Sequence, residues 1–396
     1  MPDAGRAVEA KRLTAVDAAR GLAILGVGLC NAGGFATRLN DAVALPHLAS
    51  AGTRGLWVFE QVLLPGRMVA LLSLLFGAAM VWVGGDGRDA ARKDRLNRRL
   101  LWLAVIGLVH GVGLWWGDIL LPYAIAGLIV RGARGWPARR LLVTGIAAYA
   151  LGVLLLRIDG LAALTGSPPA TIVARPAADL PSGFVPALAA LLAGNAGDWL
   201  TAVPLTIASA LLTSAPLMLI GMAMARLNLF APEALRRRAP LFAGAGVAAV
   251  LIVLPVALMQ AVRPSPALAF WAVTLRLLTA PAGALGWLAA ASFMGRLQPL
   301  WAPIGRLALS AYLGQSLLAR LGFALAPQAF GHMGYGVLMA AAAVVLIGQW
   351  SLAFLWDRQG WRGPAEALWR RLYLGAAPTP ARSPPPPGPG PRRRRF

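Results

Sequence analysis

RLNRRLLWLAVIGLVHGVGLWWGDILLPYAIAGLIVR, residues 95–131, is the stretch whose reading decides the fold class. It reads as a membrane hairpin: an apolar helix, a polar corner at Gly117-Asp118, and a second apolar helix closed by Arg131. A helix rises about 1.5 Å per residue, which puts His110 roughly 16 Å beyond Arg99, near the middle of a hydrocarbon core about 30 Å thick. Counted back from Arg131, Asp118 lies roughly 20 Å above the same boundary. The two ionisable groups therefore differ in depth by a turn or two of helix. Ionisable side chains at such depth are costly and are functional candidates by default.

The rest of the chain repeats this apolar pattern. Of 396 residues, 58% are hydrophobic and 13% charged, against about 25% charged in a soluble domain. Apolar segments at 18–37, 60–84, 99–116, 118–131, 138–156, 200–225, 239–262, 268–293, 304–326 and 335–356 predict an all-α polytopic membrane protein of about ten spans. Lys and Arg set its orientation. The leader with the start of the first span (Arg6, Lys11, Arg12, Arg20), 88–99 (six), 131–140 (four), 226–238 (four), Arg296 with Arg306, and the tail from Arg358 (nine) hold 29 of the 37. The alternate connections hold five, Arg38, Arg54, Arg157, Arg175 and Arg263, while Arg67, Arg276 and Arg320 fall inside spans. This alternation predicts both termini in the cytoplasm. It also accounts for the net charge of +22 without nucleic acid as a partner; the expected partner is the anionic inner leaflet of the phospholipid bilayer. The single cysteine, Cys30, excludes an intrachain disulfide and a thiolate metal cage, and no metal is expected.

The predicted organisation is a cytoplasmic leader over 1–17, a transmembrane helical domain over 18–360, an amphipathic helix on the inner surface over 361–375, and a disordered Pro/Arg-rich tail over 376–396. The leader is followed by no clean small-x-small cleavage site, so the first apolar stretch is read as a retained span. The Pro- and Ala-rich connection 157–198 is expected to hold a short interfacial helix at 184–193.

Polar residues inside these spans nominate the site. Asp17 and Arg20 are i,i+3 neighbours that can pair at the inner boundary. Asn31 lies eleven residues beyond Arg20, within about 20° of its face, and Gly21, Gly26 and Gly28 allow another helix close. In the second span Arg67 follows Pro65-Gly66, a predicted kink, with Glu60 available to neutralise it. His110 has two open readings, a buried histidine bonded to a neighbour or a neutral imidazole that accepts a proton. Asp118 suits an N-cap for the following helix as well as a carboxylate that orients the imidazole. The short helix after it is expected to leave room for water above the corner. In 304–326, Arg306, Ser310 and Arg320 fall within about 40° of one face, with Tyr312 and Gln315 opposite. Arg276 is a further buried cation in need of a partner, while His47 and His332 fall in outer connections and are read as incidental.

These stretches together resemble the YeiB family of bacterial inner-membrane proteins. VDAARGLAILGVGLCN, LLSLLFGA, IGLVHGVGLWWGDIL, IGRLALSAYLGQSLL and RQGWRGPAEALWRRLYLG carry the resemblance in order along nearly the whole chain. Asp17, Arg20, Asn31, His110, Asp118, Arg306 and Gln315 match its recurring polar positions. Ala311 stands where the family usually has Asn, Ala367 where it has Trp, and Arg67 where Lys is commoner. The family is distantly similar to membrane acyltransferases that pass an acetyl group from cytosolic acetyl-CoA to a sugar across the bilayer. By that analogy the expected function is transmembrane acyl transfer to a glycan or lipid acceptor, with acetyl-CoA as donor. His110 would serve as base or transient acyl carrier, with Asp118 orienting it. Arg20 and Arg306 would hold the donor, and Asn31, Arg67 and Gln315 would line the binding site. The alternatives are a transporter of a small solute or lipid-linked substrate that uses the same buried polar groups, and a non-catalytic membrane partner acting through its basic inner face.

Overall fold

The computed structural model describes residues 3–39, 48, 50–158 and 179–374, with the side chains of 3–13 outside that description. The expectations for His47, Arg175 and the 376–396 tail lie outside the described residues. The described residues form helices and connections without a strand. The α-helices are α1 (Asp3–Ala36), α2 (Ala51–Leu63), α3 (Arg67–Gly84), α4 (Ala90–Gly113), α5 (Leu120–Val130), α6 (Ala138–Ile158) and α7 (Phe184–Ser209). They continue as α8 (Ala215–Arg226), α9 (Pro232–Val262), α10 (Pro266–Phe293), α11 (Gln298–Arg306), α12 (Ala308–Leu325), α13 (Tyr335–Arg358) and α14 (Pro364–Leu374). Among the described residues, seven helical stretches are long and apolar enough to cross a membrane. The described residues are thus all-helical, with the helices of a membrane protein by length and composition.

Interruptions in these helices have local causes. Pro65 has no N–H to donate and Gly66 adopts φ +78°, so the predicted kink is a full break between α2 and α3. α7 continues through Pro204 and a π turn at Ala210–Ser214 into α8, giving one 43-residue helical stretch. The interfacial helix expected at 184–193 is therefore not a separate element but the first turns of α7. The segment 304–326 is also not one helix. It breaks at Leu307, so Arg306 ends α11 while Ser310 and Arg320 belong to α12, and the predicted shared face dissolves.

Small residues bring the helices into contact where the site requires it. α1 and α11 cross back to back at Gly21 and Gly305; a Cβ at either would run into the backbone of the other helix, at Trp301 or Asp17. Gly107 of α4 faces the backbone at Leu120-Leu121, which lets the short α5 fold flat against it. Gly26 lies under Met68, and Gly28 under Gln315 and Leu346, as the glycine spacing of the first span predicts.

The C-terminal carbonyls of α3 are taken by arginines. Arg92 donates to Val83 O (3.1 Å) and Trp82 O (2.6 Å), and Arg134 to Gly84 O (3.2 Å). Cations at a helix C-terminus satisfy its free carbonyls and its dipole together. α14 is fixed to the bundle rather than merely resting on lipid. Its Glu366 accepts from Leu309 N (2.7 Å) and Ser310 N (3.1 Å) and so caps α12.

Candidate functional site

His110 lies in the last turn of α4 and Asp118 just before α5, so the hairpin corner folds one back on the other. His110 Nδ1 is 2.8 Å from Asp118 Oδ1. The second carboxylate oxygen, Oδ2, accepts the Leu121 N–H at 2.8 Å. Asp118 therefore caps α5 and holds the imidazole at once, since a cap needs only one of its two oxygens. On the other side of the ring, His110 Nε2 is 2.9 Å from Ser316 Oγ of α12.

The protonation pattern follows from donor counting. An ionised Asp118 is acceptor-only, so Nδ1 carries the imidazole proton and Nε2 presents a lone pair. Ser316 then donates its hydroxyl proton to Nε2. A carboxylate, a neutral imidazole and a hydroxyl bonded in this order have the chemistry of a relay that can activate an oxygen nucleophile.

The rest of α12 and α7 lock the corner. Tyr312 accepts the Ile119 N–H at 3.1 Å, and its ring centroid lies 5.1 Å from that of His110. Arg320 donates to Leu114 O (2.5 Å) and to Asn195 Oδ1 (2.8 Å). Asn195 Nδ2 donates in turn to Gly111 O (2.8 Å) and Val112 O (2.9 Å). The free carbonyls ending α4 thus find donors far away in sequence, as buried backbone groups must. Trp115 ties the corner to the end of α1 by its bond to Gly34 O (3.2 Å) and its ring contact with Phe35 at 4.5 Å.

This arrangement encloses the relay. His110 and Asp118 are each 2% exposed and Ser316 is 0% exposed. The corner expected to be open to water is therefore buried within protein, with the indole of Trp115 and the Asn195–Arg320 pair bonded around it. An apolar cavity of about 290 Å³ lies between α1, α12 and α13, walled by Gly28, Phe35, Ala319 and Leu346, with Gln315 among them. Neither His110 nor Arg306 is part of that wall.

The other sequence-nominated residues are distributed over separate places. Arg20 bonds Asp17 at 2.9 Å and Gly305 O at 3.4 Å. Arg306 makes a two-pronged pair with Asp357, at 2.8 and 2.6 Å. Gln315 donates to Ile24 O at 3.3 Å; among the described residues its carbonyl oxygen has no partner, like the amide nitrogen of Asn31. Arg67 is 1% exposed and bonds Ala249 O (3.2 Å) and Thr279 Oγ1 (3.5 Å), far from the corner in the packing of α3 against α9 and α10. Glu60 does not neutralise it. That carboxylate instead accepts from Tyr335 OH at 2.7 Å and Gln61 at 3.3 Å.

Sequence reasoning missed Ser316 and Asn195. Tyr312, Ser316 and Arg320 recur at every fourth position, a helical stripe that marks one buried polar face. Grouping Arg320 with Arg306 obscured that stripe. Asn195 carries no comparable signal, since its partners lie between 83 and 125 residues away in the chain.

Comparison with known proteins places the chain in a family. Residues 224–376, which include α12 with Ser316, match the family described as "Protein of unknown function (DUF418)". The chain is 32% identical over 395 residues to "Uncharacterized protein YeiB" of Escherichia coli (strain K12), covering 93% of this chain and 97% of that protein. No solved structure matches it. Identity at that level along almost the whole of both chains means that this protein belongs to the YeiB family.

Proposed function

We propose that the protein is a transmembrane acyltransferase of the bacterial inner membrane, with ten spans and both termini in the cytoplasm. It moves an acyl group, acetyl in the simplest case, from a cytosolic thioester donor to a hydroxyl-bearing acceptor on the outer side. The observation that carries this reading is the imidazole of His110, bonded on one nitrogen to Asp118 and on the other to Ser316.

In the first half-reaction Ser316 Oγ attacks the thioester carbonyl while His110 Nε2 takes its proton. The C–S bond breaks, and the thiolate leaves with the proton that the imidazolium returns. In the second, an acceptor hydroxyl attacks the resulting serine ester; His110 takes its proton and hands it to Ser316 Oγ as the acyl group departs. Asp118 stabilises the transient imidazolium and fixes its tautomer. Because the relay is enclosed, turnover requires the corner to open. Arg20 and Arg306 are each held by a carboxylate, so donor binding there exchanges one anionic partner for another.

The test is reconstitution in proteoliposomes with acetyl-CoA on the cytoplasmic face and a panel of lipid alcohols and sugars, reading release of free thiol. Wild-type protein consumes the donor and His110→Ala does not; an intact donor across the whole panel refutes the reading. The enclosure of His110 also suits an occluded carrier. That second reading predicts solute flux in the same vesicles with no chemical change.

A further inference from the structure

A second feature lies on the basic side of the bundle, in the first turns of α4. Arg92, Arg95 and Arg99 fall within about 60° of one face of α4 at 100° per residue. They line a cavity of about 440 Å³ together with Arg370 and Tyr373 of α14 and Trp82 at the end of α3. Among the described residues, no carboxylate lines it.

Several other arginines are neutralised by a carboxylate. Arg20, Arg88, Arg98 and Arg306 each pair with an aspartate, Asp17, Asp86, Asp94 and Asp357 respectively. In the cavity, Arg92 uses two of its nitrogens on the carbonyls of α3, which leaves the third for a ligand. Arg99 is clamped over the Trp369 ring, 4.4 Å from its centroid, and that indole donates to Arg99 O at 3.0 Å. Stacking positions the guanidinium without neutralising it. The Glu366 cap fixes α14, so Arg370 and Tyr373 are presented by a held helix.

Several guanidinium groups on a held frame, with Trp82 and Tyr373 beside them, match a phosphate group attached to a less polar body. We propose that this cavity is a phosphate-binding site. Its ligand is a phosphate ester or diphosphate, held by Arg95, Arg99 and Arg370 and by the third nitrogen of Arg92. The same chemistry is offered by the headgroup of an anionic phospholipid and by the diphosphate of a soluble coenzyme. The inference stands apart from acyl transfer, because neither the relay nor its chemistry enters it.

The experiment uses full-length protein purified in neutral detergent and stripped of lipid. Thermal unfolding is followed with inorganic pyrophosphate and, separately, with phosphatidylglycerol, using phosphatidylcholine as the uncharged comparison. The variant is Arg95→Gln with Arg370→Gln, two exposed side chains whose loss leaves the helix contacts of Arg92 and Arg99 in place. At least one anion is expected to raise the melting temperature of wild type, with an apparent affinity at least about tenfold weaker in the double variant and falling with added salt. Stabilisation by pyrophosphate identifies a soluble ligand, and stabilisation by phosphatidylglycerol alone identifies a lipid headgroup. No stabilisation by either, or an equal response from the double variant, overturns the proposal. Retained thiol release with a lost anion response would separate this site from the relay.

Discussion

Asp118→Asn changes a single atom at the hairpin corner and leaves the shape of the side chain intact. Asp118 receives two hydrogen bonds, from His110 Nδ1 and from Leu121 N, both at 2.8 Å. Asparagine keeps one acceptor, which the Leu121 N–H retains. Its amide nitrogen then faces His110 Nδ1 as a donor, which requires a lone pair there and moves the imidazole proton to Nε2. An Nε2–H donates to Ser316 Oγ and cannot take the serine proton. Bonds to a charged group contribute about 1.5–3 kcal/mol against about 0.5–1.5 for neutral ones, so the stability loss is about 2 kcal/mol. The rate loss is far larger: a wrong histidine tautomer in a serine relay costs about 10⁴ in kcat, or about 5.5 kcal/mol of barrier. The chain has three histidines, His47, His110 and His332, so ¹⁵N-histidine labelling gives few signals, and a His110→Gln sample assigns the relevant one. Expected are an Nδ1–H tautomer in wild type, an Nε2–H tautomer in the variant, and a small fall in melting temperature. Identical tautomers in the two proteins would refute the donor count on which the relay rests.

Other perturbations test the frame around it. Gly305→Leu drives a side chain into the Asp17 carbonyl of α1; it should destabilise by about 3 kcal/mol or more, read by thermal unfolding in detergent. Arg320→Met leaves Leu114 O and Asn195 Oδ1 without donors, at about 1–3 kcal/mol each. Combined with Asn195→Leu it should be non-additive by more than about 0.5 kcal/mol in a double-mutant cycle. Arg306→Ala removes a pair whose arginine is two-fifths exposed, and the stability change should stay within about 1 kcal/mol.

Much of the membrane architecture is legible in the sequence because its causes are local. Apolar run length and Pro65-Gly66 each act within a few residues, and they locate helices and a break that the structure shows. The hairpin corner is legible for the same reason, since His110 and Asp118 are only eight residues apart. Ends and breaks are less legible. α7 takes in the turns assigned to the connection because Ala- and Leu-rich sequence propagates a helix wherever neighbouring helices cover it. The break at Leu307 separates two short helices that share one apolar run. What the sequence leaves dark is partnership at long range. Ser316 reaches His110, Asn195 reaches Arg320, and Glu60 turns to Tyr335 rather than Arg67, because the bundle brings these groups together and helical spacing does not.

Acyl transfer at the corner requires the buried hydroxyl, imidazole and carboxylate to act as a chemically competent relay. Intact mass of the reconstituted protein, recorded after exposure to isotopically labelled acetyl-CoA without an acceptor, reads that competence without an intervening step. One labelled acetyl group is expected, mapped to Ser316 by peptide sequencing and absent from Ser316→Ala and from His110→Ala. An unlabelled wild-type protein, or a label that survives in Ser316→Ala, rules the relay out.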